Sequence, residues 1–162
     1  MNGLKLVRVD FRLIHGQVIT KWSKLIDAST IIVVNDQLAQ DEFLADIYVM
    51  AAPSGMDVQV ISKEQFIQLA FDGQYELGKI LVLFKNIEDT KYVVEKGVKF
   101  QQVQIGGLGS GNGRTSVVKG ISIDQNDVNN LNFIENHGAN VTFQVTPEET
   151  KLSLDKAKKK VR

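Results

Sequence analysis

Short apolar segments alternate along this chain with longer segments whose apolar residues recur at helical spacing. The first pattern is typical of buried strands, and the second of helices that pack one face against a sheet. The predicted strands are residues 4–7, 30–34, 57–61, 79–84, 101–105 and 139–145, with one or two short edge strands in 114–123. Strands that alternate with helices require crossover connections, which produce a mostly parallel sheet. We therefore predict an α/β fold, an open, mostly parallel twisted sheet with helices on both faces, and allow for an antiparallel edge strand.

The predicted helices begin at residues that commonly cap helices. They span residues 18–26, 86–96 and 124–136, with further helices after Asp36, Ser62 and Thr146. The helix after Asp36 is predicted to bury a stripe formed by residues 43, 44, 47, 48 and 51. Ser62 and Gln65 have the spacing of a capping box. Thr146 and Pro147 suit the cap and the first position of a final helix.

Composition fits one soluble intracellular domain and excludes several kinds of site. The 162 residues are most simply a single domain spanning 1–162. The 19 basic and 19 acidic residues cancel, so no overall field would attract nucleic acid. The absence of cysteine excludes disulfides and thiolate metal sites, and with only two histidines we expect no metal and no cofactor. No apolar run approaches the length of a membrane span and no signal peptide is evident, which predicts a cytoplasmic protein.

One strand-to-helix connection contains a histidine beside two arginines and an aspartate. Residues 8–17 read Arg-Val-Asp-Phe-Arg-Leu-Ile-His-Gly-Gln. An open α/β sheet binds ligands at the carboxyl ends of its strands, where this connection begins. A histidine taken alone is more often structural than reactive. The neighbours Asp10 and Arg12 nevertheless favour His15 as a nucleophile or general base beside an anion site.

Other connections are expected at the same edge of the sheet. Phosphoryl oxygens require cationic partners and N–H donors, and the first turn of the helix after His15 would supply N–H groups and a favourable dipole. The sequence therefore predicts a site for a doubly charged anion. The phosphate- or loop-binding candidates, besides Arg12, are Gly16, Gln17, Asp36, Lys85, Gly106 and Gly107.

The connection at residues 8–18 resembles the phosphorylation-site motif of enzyme IIB components of the bacterial sugar phosphotransferase system, mannose/sorbose class. Blocks at 31–36, 83–86, 103–107 and 120–124 also resemble that family, in the same order, so the resemblance covers nearly the whole chain. It implies a IIB phosphocarrier whose His15 accepts a phosphoryl group on Nδ1 from a IIA protein or domain. The group would pass to a hexose or amino sugar bound by membrane IIC and IID subunits, with the chain peripherally associated with that permease. Mannose, fructose, sorbose and N-acetylgalactosamine-type sugars all stay open, and the family includes homodimers.

The resemblance and the residue chemistry together suggest roles around His15. Phosphoryl transfer depends mainly on positioning and charge stabilisation, and Arg12 is the candidate for the second. Asp10 either orients Arg12 or His15 or only caps the strand end. Arg8 is expected to lie on the strand and point away from the site. Phe11 either contributes to a docking surface for IIA or packs under the loop.

The glycine-rich segment 106–113 raises a different hypothesis, a non-catalytic regulatory or nucleotide-binding α/β module. The dinucleotide fingerprint would need its third glycine at Asn112, and the segment precedes strand-like residues rather than a helix. His15 and Arg12 argue against a module that has lost the transfer. We expect the segment to form a flexible flap over the site. Trp22 is expected in the core, and His137 to have a structural role at a helix end.

Overall fold

A computed structural model describes residues 2–161, and a seven-stranded sheet forms its centre. The strands are β1 (Leu4–Asp10), β2 (Thr30–Val34), β3 (Asp57–Ile61), β4 (Ile80–Phe84), β5 (Gln102–Gly107), β6 (Thr115–Val118), β7 (Ile121–Ile123), β8 (Asn140–Phe143) and β9 (Leu152–Ser153). The order across the sheet is β3-β2-β4-β1-β5-β8-β9, and β6 pairs with β7 in a separate antiparallel sheet. Strand β9 pairs antiparallel with β8, whereas the other pairs of the large sheet are parallel. The predicted mostly parallel sheet with an antiparallel edge strand is confirmed, but that edge strand is β9; the edge strands predicted within 114–123 form the separate sheet instead.

Helices cover both faces of this sheet. They are α1 (Gly16–Leu25), α2 (Asp36–Ala39), α3 (Glu42–Ala51), α4 (Lys63–Phe71), α5 (Ile87–Glu95), α6 (Gln125–Asn136) and α7 (Leu154–Lys158). Buried side chains of α4, α5, α6 and α7 form one apolar cluster, and side chains of α1, α2 and α3 contribute to a second. Val7 and Val9 belong to the first cluster while Leu6 packs against the second, because successive side chains of a strand point to opposite faces.

The connections after β1 and β4 leave the sheet on opposite faces. Helix α1 follows β1 and leads to β2, whereas α5 follows β4 and leads to β5 on the far side of β1. Strand β1 lies between β4 and β5, so the carboxyl ends of these three strands border a crevice at the point where the strand order reverses. The connection that contains His15 begins at this crevice.

The predicted helix after Asp36 differs from the observed structure. Asn35 and Asp41 each accept a hydrogen bond from a backbone N–H three residues later, so the segment forms two capped helices, α2 and α3. None of the residues of α3 is buried; Phe43 is 77% exposed, and only part of the predicted stripe, including Tyr48, packs against the core. The prediction of a buried stripe was wrong because α3 packs against β3, the edge strand of the sheet, and of the stripe only Tyr48 reaches the core there.

The predicted helix after Thr146 is absent, although its capping residues are suitable. Residues 145–149 form a bend and a turn, and the last helix, α7, begins only at Leu154. Tertiary hydrogen bonds fix this segment: the Gln144 side chain donates to the Glu149 carbonyl at 2.7 Å, and Trp22 Nε1 donates to the Val145 carbonyl at 2.9 Å. These contacts override the local helix-start signal. The capping box of Ser62 and Gln65 is confirmed at the start of α4.

Candidate functional site

The loop between β1 and α1 is short and tightly anchored. Leu13 and Ile14 are buried in the core, and the Leu13 N–H donates to the Asp10 carbonyl at 2.9 Å. Leu13 has a φ of 57°, a left-handed conformation that is uncommon for a side chain with a Cβ. Burial of its side chain stabilises this turn. The loop therefore presents His15 at the N-cap of α1 in a fixed geometry.

Asp10 connects the residues of this loop. His15 Nε2 lies 2.9 Å from Asp10 Oδ2, while the backbone N–H of Arg12 donates to Asp10 Oδ1 at 3.1 Å. The Arg12 guanidinium Nε is 3.5 Å from the same oxygen, and the Arg12 side chain is 44% exposed. The structure thus brings His15, Asp10 and Arg12 together as predicted. Asp10 contacts both other residues, so its role is wider than that of a strand cap.

Arg8, which was expected to point away, is buried at the centre of the site. Its Nη2 lies 3.3 Å from Asp10 Oδ2, and its guanidinium is 5.5 Å from the centre of the Trp22 ring. Its other acceptors are the Gln104 side chain and the backbone carbonyls of Gly106, Gln144 and Val145. The expectation was wrong because residues two apart on a strand share a face. The signal was present in the sequence, since Arg8 stands two positions before Asp10 between apolar residues.

Burial and charge determine the protonation of this cluster. Burial lowers the pKa of Arg8 to about 10, against the opposing charge of Asp10, so Arg8 is a cation at neutral pH. Burial alone would raise the pKa of Asp10, but hydrogen bonds from His15 and from the Arg12 backbone, with the charge of Arg8, bring that pKa below its ordinary value. Asp10 is therefore an ionised carboxylate that only accepts hydrogen bonds. It follows that His15 Nε2 carries the hydrogen, and in a neutral ring Nδ1 carries the lone pair.

Gly106 and Gly107 give the two buried side chains the space they occupy. A Cβ at Gly106 would lie 2.0 Å from Arg8 Cζ, and one at Gly107 would lie 2.7 Å from Asp10 Oδ1. Strand pairing places Gly107 opposite Asp10, and the Phe11 N–H donates to the Gly107 carbonyl at 3.1 Å. These two glycines thus border the site from β5, because no other residue leaves room for the Arg8–Asp10 pair.

The remaining candidates also lie at the carboxyl ends of the strands, but they differ in what they contact. Gly16 and Gln17 form the first turn of α1, next to His15. Lys85 directly follows β4, is exposed, and lies one position beyond Phe84, which pairs with Val9. Asp36 contacts Lys63 of α4, accepting from its backbone N–H at 2.8 Å. Lys85 thus flanks Asp10, whereas the contacts of Asp36 are with the start of α4.

The first part of the glycine-rich segment continues the sheet. Strand β5 extends through Gly107, and Leu108 forms a bridge with Ile121. The Leu108 N–H donates to the Gly120 carbonyl at 3.3 Å, and the Ser122 N–H donates to the Leu108 carbonyl at 3.0 Å. The segment then enters β6 rather than a helix, so it offers no helix N-terminus to a nucleotide.

Comparisons with known proteins place the whole chain in one family. A sequence profile described as "PTS system sorbose subfamily IIB component" matches residues 4–162. This chain belongs to that family. It is a IIB component of the sugar phosphotransferase system, and therefore a phosphotransferase of sugar uptake that acts between a IIA protein and the sugar.

Individual relatives agree with this assignment. The sorbose-specific EIIB component of Klebsiella pneumoniae is 34% identical over 151 residues, which cover 93% of this chain and 92% of that protein. The mannose-specific EIIAB component of Escherichia coli is 32% identical over 149 residues, covering 92% of this chain but only 46% of that longer protein. The crystal structure of the IIBSor domain of the sorbose permease from Klebsiella pneumoniae matches with a TM-score of 0.88, at 33% identity and 97% coverage of both chains.

The IIB chain shows three further features. Within residues 2–161, no helix combines the length and apolarity needed to cross a membrane. Trp22 is 5% exposed, as expected of a core residue. The ring of His137 lies against Phe133, with Nδ1 2.8 Å from the Phe133 carbonyl, which agrees with the structural role predicted for it.

Proposed function

We propose that Nδ1 of His15 accepts the phosphoryl group from IIA and later donates it to the sugar. The observation that carries this proposal is the 2.9 Å contact between His15 Nε2 and the ionised Asp10 carboxylate. A carboxylate fixes the hydrogen on Nε2 and leaves the Nδ1 lone pair as the nucleophile. The His15 side chain is 19% exposed, enough for a partner to reach it.

The transfer exchanges one N–P bond for another. As Nδ1 of His15 attacks phosphorus, the bond from phosphorus to the donor imidazole of IIA breaks, and its electron pair stays with that ring. His15 acquires positive charge while Nε2 keeps its hydrogen, and the Asp10 carboxylate stabilises this form. In the second transfer the sugar hydroxyl oxygen attacks phosphorus and the Nδ1–P bond breaks with its electron pair staying on Nδ1. The hydroxyl proton is released to solvent, and His15 returns to the neutral ring with its hydrogen on Nε2.

Three sources of positive charge or N–H donors are available for the phosphoryl oxygens. Arg12, whose side chain is 44% exposed, provides a guanidinium beside Asp10. The Cζ atom of that guanidinium lies 5.5 Å from the centre of the Phe11 ring. His15 occupies the N-cap position of α1, but its side chain accepts no hydrogen bond from the first turn. The N–H groups near Gly16 and Gln17 are therefore not capped by the His15 side chain. A phosphoryl group on His15 would take that place. Lys85 adds positive charge at the neighbouring strand end.

The family assignment extends to partners and location as proposals. We propose that residues 1–162 act as one IIB phosphocarrier domain in the cytoplasm, docking peripherally on membrane IIC and IID subunits. Phe11, 43% exposed beside His15, is the candidate contact for IIA. Gly106 and Gly107 serve the site by making room for Arg8 and Asp10, and Asp36 has a structural role. The sugar is a hexose or amino sugar, and a homodimer is a further proposal.

The test is phosphorylation by a phosphoenolpyruvate-driven relay with a cognate IIA, followed by intact mass and peptide mapping. We expect one acid-labile phosphate on His15. His15→Ala should abolish it, whereas His137→Gln, the matched control at the other histidine, should keep it. NMR of the phosphorylated, ¹⁵N-labelled chain should assign the phosphate to Nδ1. No label with a demonstrably active IIA would contradict the transfer, and a label on Nε2 would contradict the role given to Asp10.

A further inference from the structure

A cleft of about 480 Å³ opens directly beside the His15 loop. It lies between that loop and the β6–β7 hairpin, and His15 is not among its lining residues. Its walls include Phe11, Arg12, Leu108, Ser110, Lys119 and Ser122. The volume is within the usual range of small-molecule sites, about 300–1,000 Å³. Since Arg12 also contacts Asp10, this cleft shares one side chain with the transfer site.

We propose that this cleft binds a phosphorylated monosaccharide, the chemical class of the reaction product, an inference that rests on the proposed function. Arg12 and Lys119 contribute two cations, and Lys119 has no ion pair among the described residues. None of the lining residues is a carboxylate. A phosphate dianion needs such cations, and the hydroxyls of Ser110 and Ser122 suit the hydroxyl groups of a sugar.

The apolar part of the lining also fits a sugar ring. Phe11 is 43% exposed and lines the cleft together with Leu108. An aromatic face beside a few polar groups is the usual composition of a small-molecule site. A bare inorganic anion would make no use of this apolar wall. The lining therefore favours a ligand that has both a phosphate and a carbon skeleton.

Arg114 joins two parts of the cleft wall. Its Nε donates to the Gly109 carbonyl at 3.0 Å, and its Nη2 donates to the Ser122 carbonyl at 2.7 Å. The same guanidinium forms ion pairs with Asp124 at 3.0 Å and Asp127 at 2.9 Å. Gly109 and Ser122 both line the cleft, so one side chain ties two parts of its wall to the start of α6. A wall fixed before binding lowers the entropy that a ligand must overcome.

Binding here has a consequence for the transfer. A sugar phosphate in the cleft would engage Arg12, the side chain proposed to stabilise the group on His15. Product and phosphoryl group would therefore compete for one guanidinium. We expect accumulated sugar phosphate to slow the loading of His15 by IIA, which is feedback by the product at the carrier itself.

The direct test is an NMR titration of the unphosphorylated full chain with mannose 6-phosphate and fructose 6-phosphate. Free mannose and inorganic phosphate serve as comparison ligands. We expect saturable shifts in 108–110 and 119–122, with the better sugar phosphate binding about tenfold more tightly than either comparison ligand. Lys119→Gln should weaken it about tenfold, the usual effect of removing one charged hydrogen bond. Lys5→Gln, at the amino end of β1, is the matched control and should bind as the wild type.

Three results would overturn the proposal. Equal affinity for inorganic phosphate would reduce the cleft to a general anion site. No saturable binding would exclude the ligand class. Absence of binding combined with slower loading of Lys119→Gln by phospho-IIA would identify the cleft as a docking surface for IIA instead. The titration in His15→Ala separates the proposals, because that variant removes the transfer and leaves the cleft lining intact.

Discussion

A single methyl group added at Gly106 tests the central packing of the site. The Cβ of Gly106→Ala would lie 2.0 Å from Cζ, 2.2 Å from Nη2 and 2.4 Å from Nε of Arg8. Carbon atoms in contact are normally about 3.5–4.0 Å apart. The guanidinium cannot simply rotate away, since Asp10, Gln104 and three backbone carbonyls hold it. Either β5 must shift or the Arg8–Asp10 ion pair must separate.

The cost follows from these two alternatives. Overpacking of a fixed interior costs about 1–3 kcal/mol, and breaking a buried ion pair costs about 3–5 kcal/mol. We therefore expect Gly106→Ala to lower the free energy of unfolding by about 3 kcal/mol. For a chain of this size that corresponds to a fall in Tm of roughly 6–12 °C. Gly109→Ala is the matched control, because its Cβ would meet nothing within 4 Å, and we expect a change within about 0.5 kcal/mol.

The assay is urea denaturation followed by tryptophan fluorescence. Trp22 is the only tryptophan of the chain, and its ring lies beside the Arg8 guanidinium, so the signal reports on this part of the core. Equal unfolding free energies for Gly106→Ala and Gly109→Ala would refute the reasoning. That result would mean that the guanidinium moves at little cost, and that the glycine at position 106 is not required by Arg8.

Asp10→Asn should lower the free energy of unfolding at pH 7 by about 3 kcal/mol in urea titrations, because the buried Arg8 charge loses its partner. The part of this difference that comes from the Asp10 carboxylate should shrink below about pH 4. The pKa of Asp10 is lower in the folded chain than in the unfolded chain, where it is about 3.9. The stability that Asp10 contributes is therefore complete above that unfolded pKa and is lost as the pH falls through the folded value. A stability difference between the two proteins that stays unchanged in acid would contradict this. Arg12→Gln should slow loading of His15 by phospho-IIA about tenfold or more in a timed labelling assay, with thermal unfolding nearly unchanged because the side chain is 44% exposed. Phe43→Ser should change the unfolding free energy by less than about 0.5 kcal/mol, whereas Leu38→Ala, at the buried residue of helix α2, should cost about 2–5 kcal/mol; similar costs would show that α3 is packed after all.

Local signals predicted the elements well where tertiary contacts agree with them. The apolar segment at Thr30–Val34 and the capping box after Ser62 were read correctly, because burial and capping act over a few residues. The same reasoning failed at Thr146, where the side chains of Gln144 and Trp22 hold the backbone in a turn. It failed again at Phe43, since periodicity shows that a helix has an apolar face but not what covers it.

The sequence by itself determined the α/β class, the family, and the placement of His15, Asp10 and Arg12 in one loop, because these depend on local pattern and on residues close in the chain. Only the tertiary structure decided how that loop works. Arg8 is hydrogen-bonded to Gln104 and Gly106, which lie 96 and 98 positions later in the chain. Contacts of this kind depend on strand order and register, which the spacing of residues along the chain does not encode.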